Sequence, residues 1–171
     1  FVEAGGAYSG LPHVDPWDKV RDARRYAGPH PVVAHPPCER WGRYWSGGPS
    51  ARVRRLKGDD GGCFIAALCA VRTYGGVLEH PRRSKLWDHL GIVKPGELFL
   101  DAFGGFSVDV AQVDWGHVAR KTTWLYLVGV DRLAFGGRFQ VPAGGEKALA
   151  GPGEDRHPQR ELRVDGRRAG T

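Results

Sequence analysis

The pattern of apolar and polar positions predicts a strand, a long loop and a helix in the first half of the chain. The apolar run Val32-Val33-Ala34 lies between proline-containing turns, which is typical of a short buried strand. Residues 39–60 are rich in Gly, Arg and aromatic side chains without apolar periodicity, so they predict a loop. Residues 62–74 place apolar side chains near helical spacing, and Gly75-Gly76 favours a helix end.

The second half of the chain predicts another strand, a short helix and two further strands. Val77-Leu78 begins an apolar strand that Pro81 closes, and residues 84–90 predict the helix. Residues 106–115 alternate apolar and polar side chains, and residues 122–130 are β-branched and aromatic, so both predict strands. A strand, helix, strand order with continuously apolar strands is typical of a parallel βαβ unit. We therefore expect an α/β fold with a mostly parallel sheet flanked by short helices.

The same pattern predicts where the folded domain ends. After Phe135 the chain is rich in Gly, Pro and charge and has almost no apolar periodicity. We expect one folded domain over residues 1–135 and a weakly ordered tail over residues 136–171. The chain of 171 residues is 41% hydrophobic and 26% charged, which excludes a fully disordered protein. Because the first residue is Phe1, we expect at least an initiator methionine to be missing.

The charge and the cysteine content indicate which class of binding partner and which cellular compartment suit the chain. Lys and Arg total 25 against 19 Asp and Glu, a net charge of +6, which suits a polyanionic partner, although a GC-rich genome would also favour arginine. Three cysteines are too few for a disulfide scaffold, so a reducing cytoplasm fits better. The longest apolar stretch, near residues 63–71, is far shorter than the ~20 residues of a membrane span, and no leader-like segment opens the chain. We expect a cytoplasmic protein without membrane contact.

The first motif that could carry out catalysis is Ala34-His35-Pro36-Pro37-Cys38. It places a cysteine just past a strand, on a loop stiffened by proline. A rigid loop can hold a thiolate nucleophile at fixed geometry. Next, Arg40, Trp41 and Arg43 interleave cations with an aromatic ring, a combination that binds phosphates and stacks on unpaired bases. The competing interpretation is a buried cysteine in an ordinary loop.

Two further motifs follow. Val77-Leu78-Glu79-His80-Pro81 puts a carboxyl group at the end of the next apolar strand, where desolvation raises its pKa and lets it donate a proton. Residues 112–126 pack a polar, cationic turn that includes Lys121 between two strands. The competing interpretations are a glutamate paired with a nearby arginine and a hairpin with a charged tip.

Taken in order, these motifs resemble the cytosine-5 DNA methyltransferases, most closely their compact phage and prophage branch. The set is Pro-Pro-Cys, then Glu-X-Pro at a strand end, then Gln-X-X-Trp-Gly followed by Arg-Lys-X-Thr. The opening Phe-Val-Glu-Ala-Gly-Gly is similar to the Phe-X-X-Ala-Gly-Gly cofactor loop of the family, and the resemblance covers roughly residues 1–130. One departure is His80, which follows Glu79 where the family usually has Asn.

The resemblance implies a Rossmann-like methyltransferase fold of reduced size that acts on double-stranded DNA with the target cytosine flipped out. The Cys38 thiolate would add to carbon-6, and Glu79 would protonate or hydrogen-bond N3. Arg120 would hold the base or a nearby phosphate, and Arg40, Trp41, Arg43 and Lys121 would contact the nucleic acid. We expect the side chains of Cys38 and Glu79 to face one cleft that Arg120 also reaches.

The resemblance also implies S-adenosylmethionine as cofactor. Phe1, Gly5 and Gly6 would form part of its site, since glycine lets the backbone approach a ligand closely. Asp15 or Asp18 would contact its ribose.

Three other interpretations compete with this assignment. A non-catalytic, nucleic-acid-binding relative would share the charge but would have no use for a reactive Cys38. A zinc deaminase is excluded because Trp41 stands where its second cysteine is needed. A structural zinc site remains open in ligand type, but its cysteines are poorly spaced within a predicted helix, so we assign no metal. Its ligands would be His35, Cys38, Cys63 and Cys69.

Overall fold

A four-stranded sheet with two α-helices forms the structure, a computed structural model that describes residues 5–6, 8–42, 45–47, 52, 55–118 and 121–133. The predicted tail over residues 136–171 lies outside the described residues, as do Phe1, Arg43 and Arg120. The elements in chain order are β1 (Val32–Ala34), α1 (Cys63–Tyr74), β2 (Gly76–Pro81), α2 (Lys85–Leu90), β3 (Phe106–Ala111) and β4 (Thr122–Val128). Short 3-10 helices cover Ala23–Arg25 and Gln112–Trp115.

The predicted βαβ unit is confirmed. Strands β1 and β2 are parallel neighbours, with Ala34 opposite Leu78, and α1 connects them. Helix α1 ends where predicted, because Gly75 takes a positive φ of 78° and its N–H bonds the Val71 carbonyl at 2.9 Å. The next residue, Gly76, lets the two strands meet: a Cβ there would lie 2.1 Å from the Val32 carbonyl oxygen.

The rest of the sheet is antiparallel, so the prediction of a mostly parallel sheet is wrong for two of its three strand pairs. The strand order is β1-β2-β4-β3, and β4 runs antiparallel to both β2 and β3. The segment between β3 and β4 covers only residues 112–121, and a parallel pair needs a crossover of about a dozen residues or more. The predicted strand over residues 106–115 also ends earlier, at Ala111, where the 3-10 helix begins. The fold is mixed α/β.

The core lies between one face of the sheet and both helices. Trp87 of α2 is fully buried and packs on Phe64 of α1 and Trp124 of β4, with ring centroids 6.4 and 5.4 Å apart. Its indole N–H donates to the Ser107 hydroxyl at 2.9 Å, so the buried indole nitrogen has a hydrogen-bond partner. Among the described residues, no helix combines the length and the apolar character that crossing a membrane requires.

His80 of β2 lies in this core, fully buried against Phe64 and Trp87. Burial lowers the pKa of His80 to about 4, although the charge of Glu79 and the Pro37 carbonyl oppose the shift. The Pro37 carbonyl approaches the ring without good hydrogen-bond geometry, and neither ring nitrogen is hydrogen-bonded within the described residues. The folded state therefore holds His80 neutral.

Acid should destabilise the protein through His80. The unfolded chain binds the proton with the ordinary pKa near 6.5, above the value of the folded state, so stability is full above pH ~6.5 and falls towards pH ~4. The expected loss from this group is roughly 3 kcal/mol, measured by urea unfolding at a series of pH values. His80→Phe should flatten that slope, whereas His13→Asn, at an exposed position with a positive φ, should leave it unchanged. Equal slopes in wild type and His80→Phe would contradict this account.

Candidate functional site

A cluster of polar side chains surrounds Glu79 on the face of the sheet away from α1. Leu78 and His80 point towards the helices, so strand alternation turns Glu79 the other way. The carboxyl group is 16% exposed, its Oε1 accepts a short hydrogen bond from the Thr123 hydroxyl, and its Oε2 lies 3.3 Å from His35 Nδ1. Both contacts follow from strand register, because Ala34 pairs with Leu78 and Leu125 pairs with Glu79.

Three further side chains complete what we call the Glu79 cluster. Lys121 places its Nζ 4.0 Å from Glu79 Oε1. The hydroxyl of Tyr8 lies 3.0 Å from His35 Nε2, and the Gln112 amide donates to the Thr123 hydroxyl at 3.4 Å. The cluster therefore consists of Tyr8, His35, Glu79, Gln112, Lys121 and Thr123.

Glu79 is a carboxylate in this arrangement, which corrects the expectation of a raised pKa. Burial does raise the pKa of Glu79, as predicted, but hydrogen bonds from His35 and Thr123 and the charge of Lys121 lower it, and the net pKa is below its ordinary value. The resting group therefore accepts hydrogen bonds and has no proton of its own to donate at neutral pH.

Cys38 lies on an exposed turn three residues after His35. Its carbonyl accepts hydrogen bonds from the N–H groups of Trp41 at 3.1 Å and Gly42 at 2.8 Å, which closes the turn. The motif thus starts at the carboxyl end of β1, and its His35 lies beside Glu79. That the side chains of Cys38 and Glu79 face one cleft stays a prediction.

Trp41 has a structural role, and its burial leaves little of the ring surface that base stacking would use. Its ring is only 6% exposed and packs against Phe64 and His89, with centroids 6.3 and 5.5 Å away. The indole N–H donates to Asp60 at 2.9 Å, and the ring passes so close to Gly58 that a Cβ there would lie 2.6 Å from it. A large apolar ring gains more from this burial than from exposure to solvent.

The other described nucleic-acid candidates occupy different settings. Arg40 is half-buried, and its Nε donates to the Asp59 carbonyl at 3.3 Å, so part of the guanidinium holds the loop. Lys121 is 51% exposed and belongs to the Glu79 cluster, where it can meet a ligand of that site.

A cavity of about 530 Å³ lies between the N-terminal loop and β1. Asp15 lines it together with Trp17 and Tyr26, and its carboxylate binds the Arg21 guanidinium and the Trp17 indole N–H. Tyr8 lines the same cavity, and through its hydroxyl it also contacts the Glu79 cluster. Gly5, with φ of 74°, and Gly6 precede Tyr8 in the chain.

The zinc alternative finds no support in the described part of the chain. Within it, no group of three or more His, Cys, Asp or Glu side chains is arranged to hold a metal ion. Cys63 begins α1, and Cys69 is exposed on the same helix. The four candidate zinc ligands are therefore not brought together.

Comparisons with sequence profiles of protein families, with curated proteins and with solved structures find no match to this chain. The features of the chain that bear on its function are therefore the ordered motifs and the geometry of the Glu79 cluster. Sequence reasoning had identified Glu79 and Lys121 but missed the roles of Tyr8, His35, Gln112 and Thr123. Gln112 and Thr123 did carry a signal, because they are the Gln and the Thr of the downstream motif.

Proposed function

We propose that the protein is a DNA cytosine-5 methyltransferase, or a related pyrimidine-modifying enzyme, with a reduced Rossmann-like methyltransferase fold. The observation that carries the proposal is the partly buried Glu79 carboxylate, oriented by Thr123 and by His35, which lies three residues before Cys38. The parallel β1–α1–β2 unit supports the fold assignment, since ligand sites of such sheets lie at the carboxyl ends of the strands. The net charge of +6 favours a polyanionic substrate.

Glu79 would bind the edge of a flipped cytosine as a hydrogen-bond acceptor. Cytosine presents its exocyclic amino group as a donor, and carboxylates are its usual protein partners. Thr123 and His35 already hold the carboxylate, so little reorganisation is needed when the base enters. Glu79 is ionised at rest, so it has no proton of its own to give to N3. A proton that reaches N3 must first be taken up by Glu79 from another group or from solvent.

Cys38 would act as the nucleophile. Its thiolate forms a bond to ring carbon-6, and the electron pair of the carbon-5 to carbon-6 double bond moves into the ring. S-adenosylmethionine, when bound, supplies the methyl group. Once carbon-5 carries the methyl group, solvent water would take the carbon-5 proton, the electron pair of that C–H bond would restore the carbon-5 to carbon-6 double bond, and the bond from carbon-6 to sulfur would break to release the Cys38 thiolate.

The cavity beside β1 is the part of the chain that fits the cofactor. Its volume of about 530 Å³ lies within the range of sites for drug-sized ligands. Trp17 and Tyr26 offer aromatic surface, and the Asp15 carboxylate retains lone pairs for a hydroxyl group beyond those used by Arg21 and Trp17. Because Tyr8 lines this cavity and contacts His35, a ligand there would lie next to the Glu79 cluster.

The proposal is tested by the nucleosides of DNA incubated with the full chain and S-adenosylmethionine. Mass spectrometry should detect 5-methylcytosine or another modified pyrimidine with the wild type. Glu79→Gln should reduce the rate on the order of 10²-fold or more while DNA binding changes little, because the carboxylate acts on the reacting base. Glu97→Gln is the control, since an amide oxygen can still accept the hydrogen bond that Glu97 takes from the Lys94 N–H.

Two outcomes would contradict the proposal. If Glu79→Gln formed as much product as the wild type, Glu79 would have no role in the reaction. DNA binding by the wild type without any modified nucleoside would favour the non-catalytic relative.

A further inference from the structure

His35 belongs to the Glu79 cluster, yet the chemistry proposed above gives it no role beyond that contact. It follows β1 directly and lies between two hydrogen-bonding groups, Glu79 Oε2 at 3.3 Å from Nδ1 and the Tyr8 hydroxyl at 3.0 Å from Nε2. Its side chain is 38% exposed, so the ring remains accessible from solvent beside Glu79.

The two contacts together specify which ring nitrogen carries the proton. An ionised carboxylate only accepts hydrogen bonds, so Nδ1 must carry the hydrogen that points to Glu79. In the neutral ring Nε2 then has a free lone pair, and the Tyr8 hydroxyl can donate to it. Glu79 thus selects the Nδ1–H tautomer, and Tyr8 stabilises it by donating to Nε2.

The two oxygens of Glu79 are held by different parts of the chain. Thr123 of β4 and Lys121, just before that strand, approach Oε1, and Gln112 supports Thr123 from the end of β3. Within the described residues, His35 is the hydrogen-bond partner on Oε2. Without His35 the carboxylate would keep one anchored oxygen and gain freedom to rotate about it.

We propose that His35, held as the Nδ1–H tautomer by Glu79 with support from Tyr8, is a positioning residue that fixes the plane of the Glu79 carboxylate for the pyrimidine edge. The identity of the ligand as a pyrimidine rests on the proposed function. The tautomer of His35 and its contact with Glu79 do not depend on that function. Because Tyr8 also lines the cavity beside β1, the same hydroxyl links that cavity to Glu79.

The first experiment measures the tautomer without any substrate. In full-length protein labelled with ¹⁵N-histidine, the neutral ring of His35 should carry its proton on Nδ1 and leave Nε2 unprotonated, with the resonances assigned by their loss in His35→Asn. Tyr8→Phe should move the ring towards the Nε2–H tautomer. Tyr26→Phe is the matched control, because Tyr26 lines the same cavity but bonds to the backbone of His30. A wild-type ring in the Nε2–H form, or no difference between the two variants, would overturn the proposal.

The second experiment separates positioning from a structural role. His35→Ala should lower kcat about 10- to 100-fold with little change in KM, since misplacing a group that acts on the base slows the reaction more than binding. His35→Asn should restore most of kcat, because its amide can place a donor near the position of Nδ1. Equal defects in both variants, or an unchanged kcat in His35→Ala, would contradict positioning. If the wild type modifies no DNA, the proposed function is wrong. The tautomer measurement then still shows whether His35 donates its Nδ1–H to Glu79.

Discussion

Cys38→Ser should abolish formation of the modified pyrimidine, to below about one thousandth of the wild-type rate. The physical reason is that a serine hydroxyl is essentially un-ionised at neutral pH, whereas a fraction of a cysteine thiol is thiolate. Cys38 begins a turn, and the residue that contacts Glu79 is His35, three residues earlier, so the change removes the nucleophile and leaves the Glu79 cluster in place. The measurement is the yield of modified nucleoside per unit time, together with the affinity for the same DNA.

The matched control is Cys69→Ser. Cys69 is also exposed, but it belongs to α1, which packs on the other face of the sheet from Glu79. We expect this variant to retain wild-type activity and both variants to bind DNA as the wild type does. Full activity in Cys38→Ser would remove the covalent step.

Trp41→Ala should destabilise the fold by about 4 kcal/mol, a large part of the total stability of a domain this size. The change empties the volume that the ring fills between Phe64 and His89 and deletes the indole hydrogen bond to Asp60. Asp60 would still accept from the N–H groups of Gly62 and Phe64 at the start of α1. Urea unfolding at neutral pH gives the change in free energy.

Trp41→Phe separates packing from hydrogen bonding. It should cost about 1–2 kcal/mol, because it keeps most of the apolar volume and loses the N–H donor. If Trp41 instead stacked on a base, Trp41→Ala would weaken DNA binding without changing the free energy of unfolding. That result would contradict the structural role.

The local elements were predictable because their signals are local. Glycines flank α1 on both sides, and a short apolar run between prolines marks β1, so these boundaries follow from neighbouring residues. The pairing of β4 depends on how the chain returns to the sheet. The short connection over residues 112–121 indicates an antiparallel pair of strands. The alternation of apolar and polar residues through residue 115 hid this, because it predicted a longer β3.

The chemistry of the site depends on contacts between distant parts of the chain. The partial burial of Glu79 could be predicted from its strand, but the two groups whose hydrogen bonds lower its pKa, His35 and Thr123, each lie 44 residues away in sequence. Trp41 shows the same difficulty, because an aromatic residue between arginines suits both base stacking and a core. Its approach to Gly58 and Asp60 decides between them, and neither contact is visible in the motif.

The most direct test of the central claim is to capture the bond between Cys38 and a pyrimidine. In duplex DNA whose cytosines are replaced by 5-fluorocytosine, carbon-5 carries fluorine in place of the hydrogen that must leave, so the thiolate cannot be released after methyl transfer. Intact-protein mass spectrometry of the full chain with this DNA and S-adenosylmethionine should show a covalent adduct, located at Cys38 after digestion and absent in Cys38→Ser. No adduct with the wild type, or an equal adduct in Cys38→Ser, would contradict the account.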